Sequence, residues 1–559
     1  MKRPFAFLGF SYLLGPLAAS FFGDRAILPM LLLFAAALIA ALLRKAKNRN
    51  LLLALGGISL SLLVCFLTNT LYLHSFQQYD EQKYMLEGEI IELTGEKSGT
   101  SSYEVHVQKL NEIPVSFHIT LYSGKQLYFT PYDKLHCGVK LSEFKEENGF
   151  SFRKSNLSKG RVLYGTLLYD KPVKVISVAK KPPAYLFSAA KHLLQTSIDN
   201  FFSGDTADVL SAMLLGEGER ISDEVYADFQ FSGVNHILVI SGMHMAIIAG
   251  VVLLLLGKIH IPRKLMLFLG MAAILLYMGM TGFGKSVVRS GIMYCILLLS
   301  FLLGEEADAL NSLGFSVLLI CLINPFSAVD MGFLLSVAAT AGIILLAEPI
   351  EHALVGKSRI GHFLRPLLAA LSVSLAAFTF ILPVILYTYG TVNPLSIVTG
   401  TILAVPSAAL LAVGLIAALV GTVPFLSALM PPLVISVNLL NQFMLWVVSG
   451  IGRLGAYLPY FSQESAVLIF IGILGLTAIL LLVKPTKKTC LVWGLTVLLL
   501  FATGFVTSNW NPVPSVRLVT EDMGQGLFTY LVHGKEAAVL SADGYQTAYA
   551  DYCLKKQGV

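Results

Sequence analysis

Apolar residues fall in long uncharged runs over most of the chain, and in strict alternation with polar ones over one stretch beginning near residue 74. The runs are roughly 17 to 25 residues long, the length a helix needs to cross the hydrocarbon core of a bilayer. Residues 1–23, 26–43 and 51–73 form the first three. The opening run carries Lys2, Arg3 and a small-residue Ala18-Ala19-Ser20 and has the form of a signal peptide, but the two runs that follow it at once argue for a membrane-embedded N-terminal region. After a polar interval the runs resume at residues 234–256, 265–281, 287–303, 309–323 and 331–347. They continue at 366–389, 395–420, 425–448, 466–483 and 491–506. Together these predict a polytopic α-helical membrane protein with about thirteen transmembrane helices.

The interval at residues 74–180 has the other period. Tyr103, Val105 and Val107 alternate with Glu104, His106 and Gln108, and Phe117, Ile119 and Leu121 with Ser116, His118 and Thr120. Leu135, Cys137, Val139 and Leu141 keep the rhythm. Such alternation predicts half-buried antiparallel strands. About six short strands in about 100 residues suit a small barrel of the OB kind, inserted between membrane segments. Residues 184–202 return to helical period with one apolar face and Lys191, Gln195 and Asp199 on another, so residues 184–232 are expected to lie along the membrane surface. The division is then 1–73, 74–180, 184–232, a main helical domain at 233–506 and a tail at 507–559.

Composition agrees: 55% of the 559 residues are hydrophobic and 13% charged, with a mean hydropathy of +0.73, which excludes a soluble protein of this length. The net charge of +6 reflects basic loops more than a polyanion-binding surface. Arg44, Lys45, Lys47 and Arg49, then Lys258, Arg263 and Lys264, then Lys357, Arg359 and Arg365, then Lys484, Lys487 and Lys488 all fall in loops that alternation puts on one side. By the positive-inside rule that side is cytoplasmic, which sets the N-terminus inside and the β-domain and tail outside. The six cysteines are scattered with no Cys-x-x-Cys spacing, so no metal site and no cofactor are expected. Cys137 and Cys553 would both face an oxidising compartment and are a candidate disulfide, with a buried free thiol at Cys137 as the alternative.

Chemistry concentrates at Asn235, His236, Ser241 and His244, read here as polar residues entering an apolar helix. Polar side chains at membrane depth are costly and line pathways or pack helices. On a straight helix His236 and His244 stand roughly 12 Å apart along the axis and cannot share a metal ion. Ser241 and His244 are neighbours at i and i+3 and could hydrogen-bond, but no oxyanion site accompanies them. Residues 279–286 match a phosphate-binding loop letter for letter, yet lie between two membrane helices instead of after a buried strand, so nucleotide binding is not expected. Lys285 and Arg289 instead form an i, i+4 cationic pair at the bundle's outer mouth, either receiving phosphates or snorkelling to the interface. Asp330 either pairs with a cation or caps the helix that follows it. In the β-domain, residues 74–133 carry nine acidic and four basic residues and residues 134–180 ten basic and four acidic. Phe150 and Phe152 near Arg153 and Lys154 are candidates for stacking on bases.

The segment Asn235-His236-Ile237-Leu238-Val239-Ile240-Ser241-Gly242-Met243-His244 resembles the signature of the ComEC family of competence proteins. Leu215-Gly216-Glu217, the stretch from Ser286 through Arg289 to Met293, Asn324-Pro325, Gly332-Phe333-Leu334-Leu335-Ser336, then Pro383, Tyr387 and Gly390, and Ala404-Val405-Pro406 resemble further family elements in family order. The resemblance implies a channel in a bacterial cell membrane that passes single-stranded DNA into the cytoplasm, with residues 233–506 as the channel domain. It implies as partners the lipid bilayer, a DNA receptor on the outer face and a cytoplasmic DNA-translocating ATPase. Residues 516–526 resemble the opening of the family's metallo-β-lactamase-like domain, but Leu527 stands where an Asp is expected and no His-x-His-x-Asp-His follows, so no enzyme activity is expected. Alternatives are a membrane-embedded or outer-face hydrolase, using Ser241 and His244 or a lost metal domain, and a small-molecule transporter of the same fold.

Overall fold

The alternating stretch folds into a six-stranded sheet in a computed structural model of the chain. The structure describes residues 3–43, 48–97, 100–144, 152–259, 261–356, 363–389, 392–453, 467–469, 471–473, 475, 487–509, 516–522, 527–533 and 536–542. Strands β1 (Lys83–Lys97), β2 (Thr100–Leu110), β3 (Ile113–Ser123), β4 (Asp133–Ser142), β5 (Arg161–Leu167) and β6 (Lys174–Ile176) lie in the order β1-β2-β3-β5-β4-β6. β1 also pairs antiparallel with β4, and β3 pairs parallel with β5, so the pairings run from β1 through β2, β3, β5 and β4 back to β1. The period-two pattern is the cause: Tyr103, Val105 and Val107 of β2 and Leu135, Cys137 and Val139 of β4 are all fully buried. Each large side chain so buried contributes about 1.5–3 kcal/mol. Cys137 is a free thiol in this core, its pKa pushed up to about 12 by burial, and Cys553 lies outside the described residues.

The apolar runs are helices. α1 (Pro4–Phe22), α2 (Ile27–Leu43) and α3 (Arg49–Leu67) precede the sheet, and α4 (Phe152–Ser158) joins β4 to β5. The amphipathic segment is α5 (Tyr185–Phe201), followed by α6 (Gly204–Leu215) and α7 (Asp223–Phe231). Next come α8 (Gly242–Gly257), α9 (Arg263–Met280), α10 (Lys285–Leu303), α11 (Ala309–Ile323), α12 (Met331–Gly342) and α13 (Glu348–Val355). The long helices α14 (Arg365–Tyr389), α15 (Leu395–Gly421), α16 (Met430–Gly452) and α17 (Lys487–Asn509) follow. The tail contributes a separate antiparallel sheet, β7 (Val516–Asp522), β8 (Leu527–His533) and β9 (Glu536–Ala542). Among the described residues nine helices are long and apolar enough to cross a membrane, and Ile27–Leu43, Ala309–Ile323 and Gly494–Gly504 are shorter apolar helices. The expected span at residues 466–483, the basic loop residues Lys45 and Lys47, and Phe150 lie wholly or largely outside the described residues. This is a multi-pass membrane protein.

Two compact units result, each assembled from distant segments. One comprises Met1–Arg220, Ile240–Leu334 and Gly414–Val434, the other Ile221–Val239, Leu335–Val413 and Ile435–Val559. In the first, α1 and α11 run side by side from matched starts. Asp308 caps α11 by accepting the Asn311 N–H at 2.8 Å and also accepts from Arg3 Nε at 2.8 Å, while Asn311 Oδ1 accepts the Phe5 N–H at 2.9 Å. Donors that an isolated α1 would leave unsatisfied are thus met by α11. Further along, the backbones touch: a Cβ on Gly9 would sit 1.9 Å from the Gly314 carbonyl oxygen.

A candidate functional site at the start of α8

The polar segment does not sit inside one helix as expected. Residues 235–237 form a short 3-10 turn, and α8 begins only at Gly242 with Ser241 as its N-cap. The hydropathy of Ile237, Leu238, Val239 and Ile240 runs straight through this break, which hid it. Asn235 and His236 therefore belong to the second unit and Ser241 and His244 to the first. In the second unit Asn235 Nδ2 donates to the Tyr226 hydroxyl at 3.0 Å, and Asn393 Nδ2 donates to the Phe231 carbonyl, fastening α7 beside the start of α15. His236 makes no side-chain hydrogen bond among the described residues.

At the start of α8 the fully buried His244 turns its Nδ1 back to the cap, where it accepts the Ser241 N–H at 3.2 Å and lies 2.9 Å from the Ser241 hydroxyl. Because a backbone N–H always donates, the neutral ring carries its proton on Nε2, and the Ser241 hydroxyl donates to the same Nδ1. The pair that sequence offered as a hydrolytic dyad is thereby a helix cap in which His replaces the usual Glu or Gln.

Gly242 brings α10 to this cap. A Cβ there would lie 3.1 Å from Ser290 Oγ and 3.3 Å from Arg289 Nη2, a tight approach that only glycine leaves free. Arg289 is 3% exposed, so it neither snorkels nor stands at an open mouth with Lys285. Its guanidinium donates to Ser290 Oγ at 2.9 Å and to Met293 Sδ at 3.3 Å. A buried guanidinium therefore lies beside the positive end of a helix, an arrangement that raises the local potential and favours anions. Lys285 is the first residue of α10, directly after a helix and a turn, which removes the strand a nucleotide-binding loop requires.

The other predicted residues have mainly connecting roles. Asp330 does cap α12, accepting the Phe333 N–H at 2.8 Å, and its second oxygen accepts from the Ser158 hydroxyl at 3.1 Å. Asn324 donates through Nδ2 to the carbonyls of Leu157 at 2.7 Å and Ser158 at 3.0 Å. Both residues thus hold the end of α4, and with it the β-domain, against the turn between α11 and α12. Lys154 donates to the Ser20 carbonyl at 3.3 Å, meeting an acceptor in the last turn of α1 instead of standing clear for a nucleic acid. Arg153 is half-buried in α4, and Phe152 opens that helix. Sequence reading missed this junction, because Asn324 carries no periodic signal and its partners lie more than 160 residues away.

The helices around this site are those that family comparison recognises. A model of the competence protein family matches residues 213–516. The chain belongs to the competence protein family. Among curated proteins, this competence-family chain is 26% identical over 202 residues to ComE operon protein 3 of Bacillus subtilis, covering 36% of this chain and 25% of that protein. It is 31% identical over 194 residues to an uncharacterized protein of Aquifex aeolicus, covering 34% of this chain and 43% of that one. The matches thus span less than half the length of either relative. No solved structure matches.

Proposed function

We propose that this chain forms the membrane conduit through which single-stranded DNA enters the cytoplasm of a competent cell. The observation that carries the reading is the buried Arg289 guanidinium beside the N-terminus of α8, inside the stretch matched to the competence family. A phosphate backbone crossing a bilayer needs fixed cations and oriented N–H groups to replace water, and helix ends supply both. Arg289 lines the route, while Ser241 and His244 hold the shape of the α8 start.

The thirteen-crossing arrangement with a cytoplasmic N-terminus and an extracytoplasmic tail is supported by the contact of Arg3 with Asp308, which requires the first and seventh crossings to begin on one side. It is supported also by the grip of Asn324 on α4, which requires α11 to end on the side of the β-domain. The circuit of pairings in the sheet, with β3 parallel to β5, supports an OB-like barrel in the outer domain. A receptor would deliver DNA to that domain and a cytoplasmic ATPase would draw it inward; the chain itself has no catalytic step.

The test is uptake of labelled DNA, scored separately for surface binding and cytoplasmic arrival, in competent cells carrying the intact gene, a deletion or Arg289→Ala. Surface binding kept and arrival lost, in correctly inserted protein, is the expected result. Undiminished arrival in the deletion would overturn the proposal and leave the hydrolase or transporter alternatives.

A further inference from the structure

A cavity of about 630 Å³ opens where the β-domain meets the helices of the first unit. Lys159, exposed in the turn between α4 and β5, and Lys285, half-buried at the start of α10, both line it. Neither ammonium forms an ion pair or a side-chain hydrogen bond among the described residues. The carboxylate of Asp330, which accepts from the Phe333 N–H and the Ser158 hydroxyl, acts on both ammoniums through space without contacting either, one negative charge against two positive. Ser327 also lines the cavity; it is 1% exposed, and its hydroxyl has no hydrogen-bond partner. The remaining wall is apolar, including Val64 and Leu73 from the segment leading out of α3 and Ile320 and Ile323 from the end of α11. Ile323 is 79% exposed and Leu71, on the segment that contributes Leu73, is 67% exposed, so apolar surface continues out of the cavity.

A buried hydroxyl without a partner costs more than one left in water, and an ammonium beside an apolar wall with no carboxylate in contact retains attraction for an anion. Two ammoniums with one through-space carboxylate between them, round the same space as a buried hydroxyl that lacks a partner, call for a further anion. The apolar walls and rim call for a hydrocarbon chain attached to it. We infer that this cavity binds an anionic phospholipid of the surrounding bilayer, with its phosphate between Lys159, Lys285 and Ser327 and an acyl chain leaving past Ile323. A DNA phosphate shares the headgroup chemistry but has nothing to place against Val64, Ile320 and Leu73. The lipid would tie the β-domain to the helices at the junction that Asn324 and Asp330 already pin. This site is separate from Arg289 and does not depend on what the conduit carries.

The experiment uses the full chain, purified in detergent, stripped of lipid and resupplied with dioleoylphosphatidylglycerol or dioleoylphosphatidylcholine, with bound lipid read by native mass spectrometry. Retention of one phosphatidylglycerol per chain, and little phosphatidylcholine, is expected. Lys159→Gln and Lys285→Gln should each weaken retention about tenfold and Ser327→Ala a few-fold. Protease resistance of the β-domain reports whether each variant folds, and Ser327→Ala decides the matter if the lysine variants do not. Equal retention of the two lipids, or undiminished retention in folded variants, would overturn the inference. So would a short single-stranded oligonucleotide that cross-links to Lys159 and Lys285 and displaces the lipid, since the cavity would then belong to the DNA route.

Discussion

The β-domain and the helices beside it treat charge in opposite ways. In the β-domain, buried charges are matched within the sheet. Arg161, 8% exposed, pairs with Glu104, whose other oxygen lies 2.9 Å from His118 Nδ1. Asp133, 3% exposed, takes Lys181 at 2.6 Å, the Thr130 N–H at 2.7 Å and the Val178 N–H at 3.1 Å. In the helices, Arg289 is 3% exposed with Ser290 Oγ and Met293 Sδ among its partners, and Lys285 has the Asp330 carboxylate near it but not in contact. Charge paired at contact distance fixes a fold, whereas a buried guanidinium beside the positive end of a helix adds to a potential that favours an anion. The first arrangement predicts losses of stability on mutation and the second losses of transport.

The largest stability effect is expected at Asp133. Burial would raise its pKa, but the bonds from Lys181, Thr130 and Val178 outweigh burial and hold it at about 2. Asp133→Ala strands Lys181 and should cost the β-domain about 3–5 kcal/mol, read as lost protection from hydrogen exchange in β4 and β6. The sign with pH follows: a carboxyl depressed in the folded state stabilises above its unfolded pKa of about 3.9, and that contribution fades as pH falls from there toward about 2. Asp133→Asn should flatten this acid dependence. For transport, Arg289→Ala should reduce cytoplasmic arrival of DNA by at least about tenfold with insertion intact, and Arg289→Lys should restore only part of it, because an ammonium lacks the forked geometry that reaches Ser290 and Met293 together.

These two regions were also unequally legible. Alternation located β2, β3 and β4 from residues such as Tyr103, Ile119 and Leu135, because in a sheet buried on one face the side-chain period is local information. Hydropathy located the long helices for the same reason. It failed at Leu238 to Ser241, where apolar composition continues while the backbone leaves the helix, since hydropathy measures depth and not hydrogen bonding. The burial of Arg289 depends on the close approach of α10 at Gly242, and the role of Asn324 on a partner in another domain. Both are tertiary facts with no trace in a local pattern. The Ser241-Gly242 step was nevertheless a visible signal of a cap, outweighed by the assumption of one unbroken span.

Gly242→Ala probes that approach at smaller cost. Its Cβ would press on Ser290 Oγ and Arg289 Nη2, both side-chain atoms that can yield by a few tenths of an ångström, so about 1 kcal/mol and a reduction of a few-fold in DNA arrival are expected. An unchanged protein would mean that Arg289 need not lie against α8.

The smallest effect should come from Ser241→Ala, and it separates the cap from the hydrolytic reading most cleanly. The substitution removes the hydroxyl 2.9 Å from His244 Nδ1 but leaves the Ser241 backbone N–H, which still donates to that nitrogen. The imidazole therefore keeps its orientation and its tautomer, and the loss is that of one cap side chain, about 1 kcal/mol. DNA arrival should stay within about twofold of the parent. His244→Ala removes the acceptor for both donors and opens space at a fully buried position, so it should weaken the protein by more than Ser241→Ala does. A nucleophile would reverse this order: its hydroxyl would be indispensable while the helix barely changed. Loss of all activity in a Ser241→Ala protein of undiminished thermal stability would show that the serine reacts with something, and that the start of α8 is more than a shaped end beside a buried arginine.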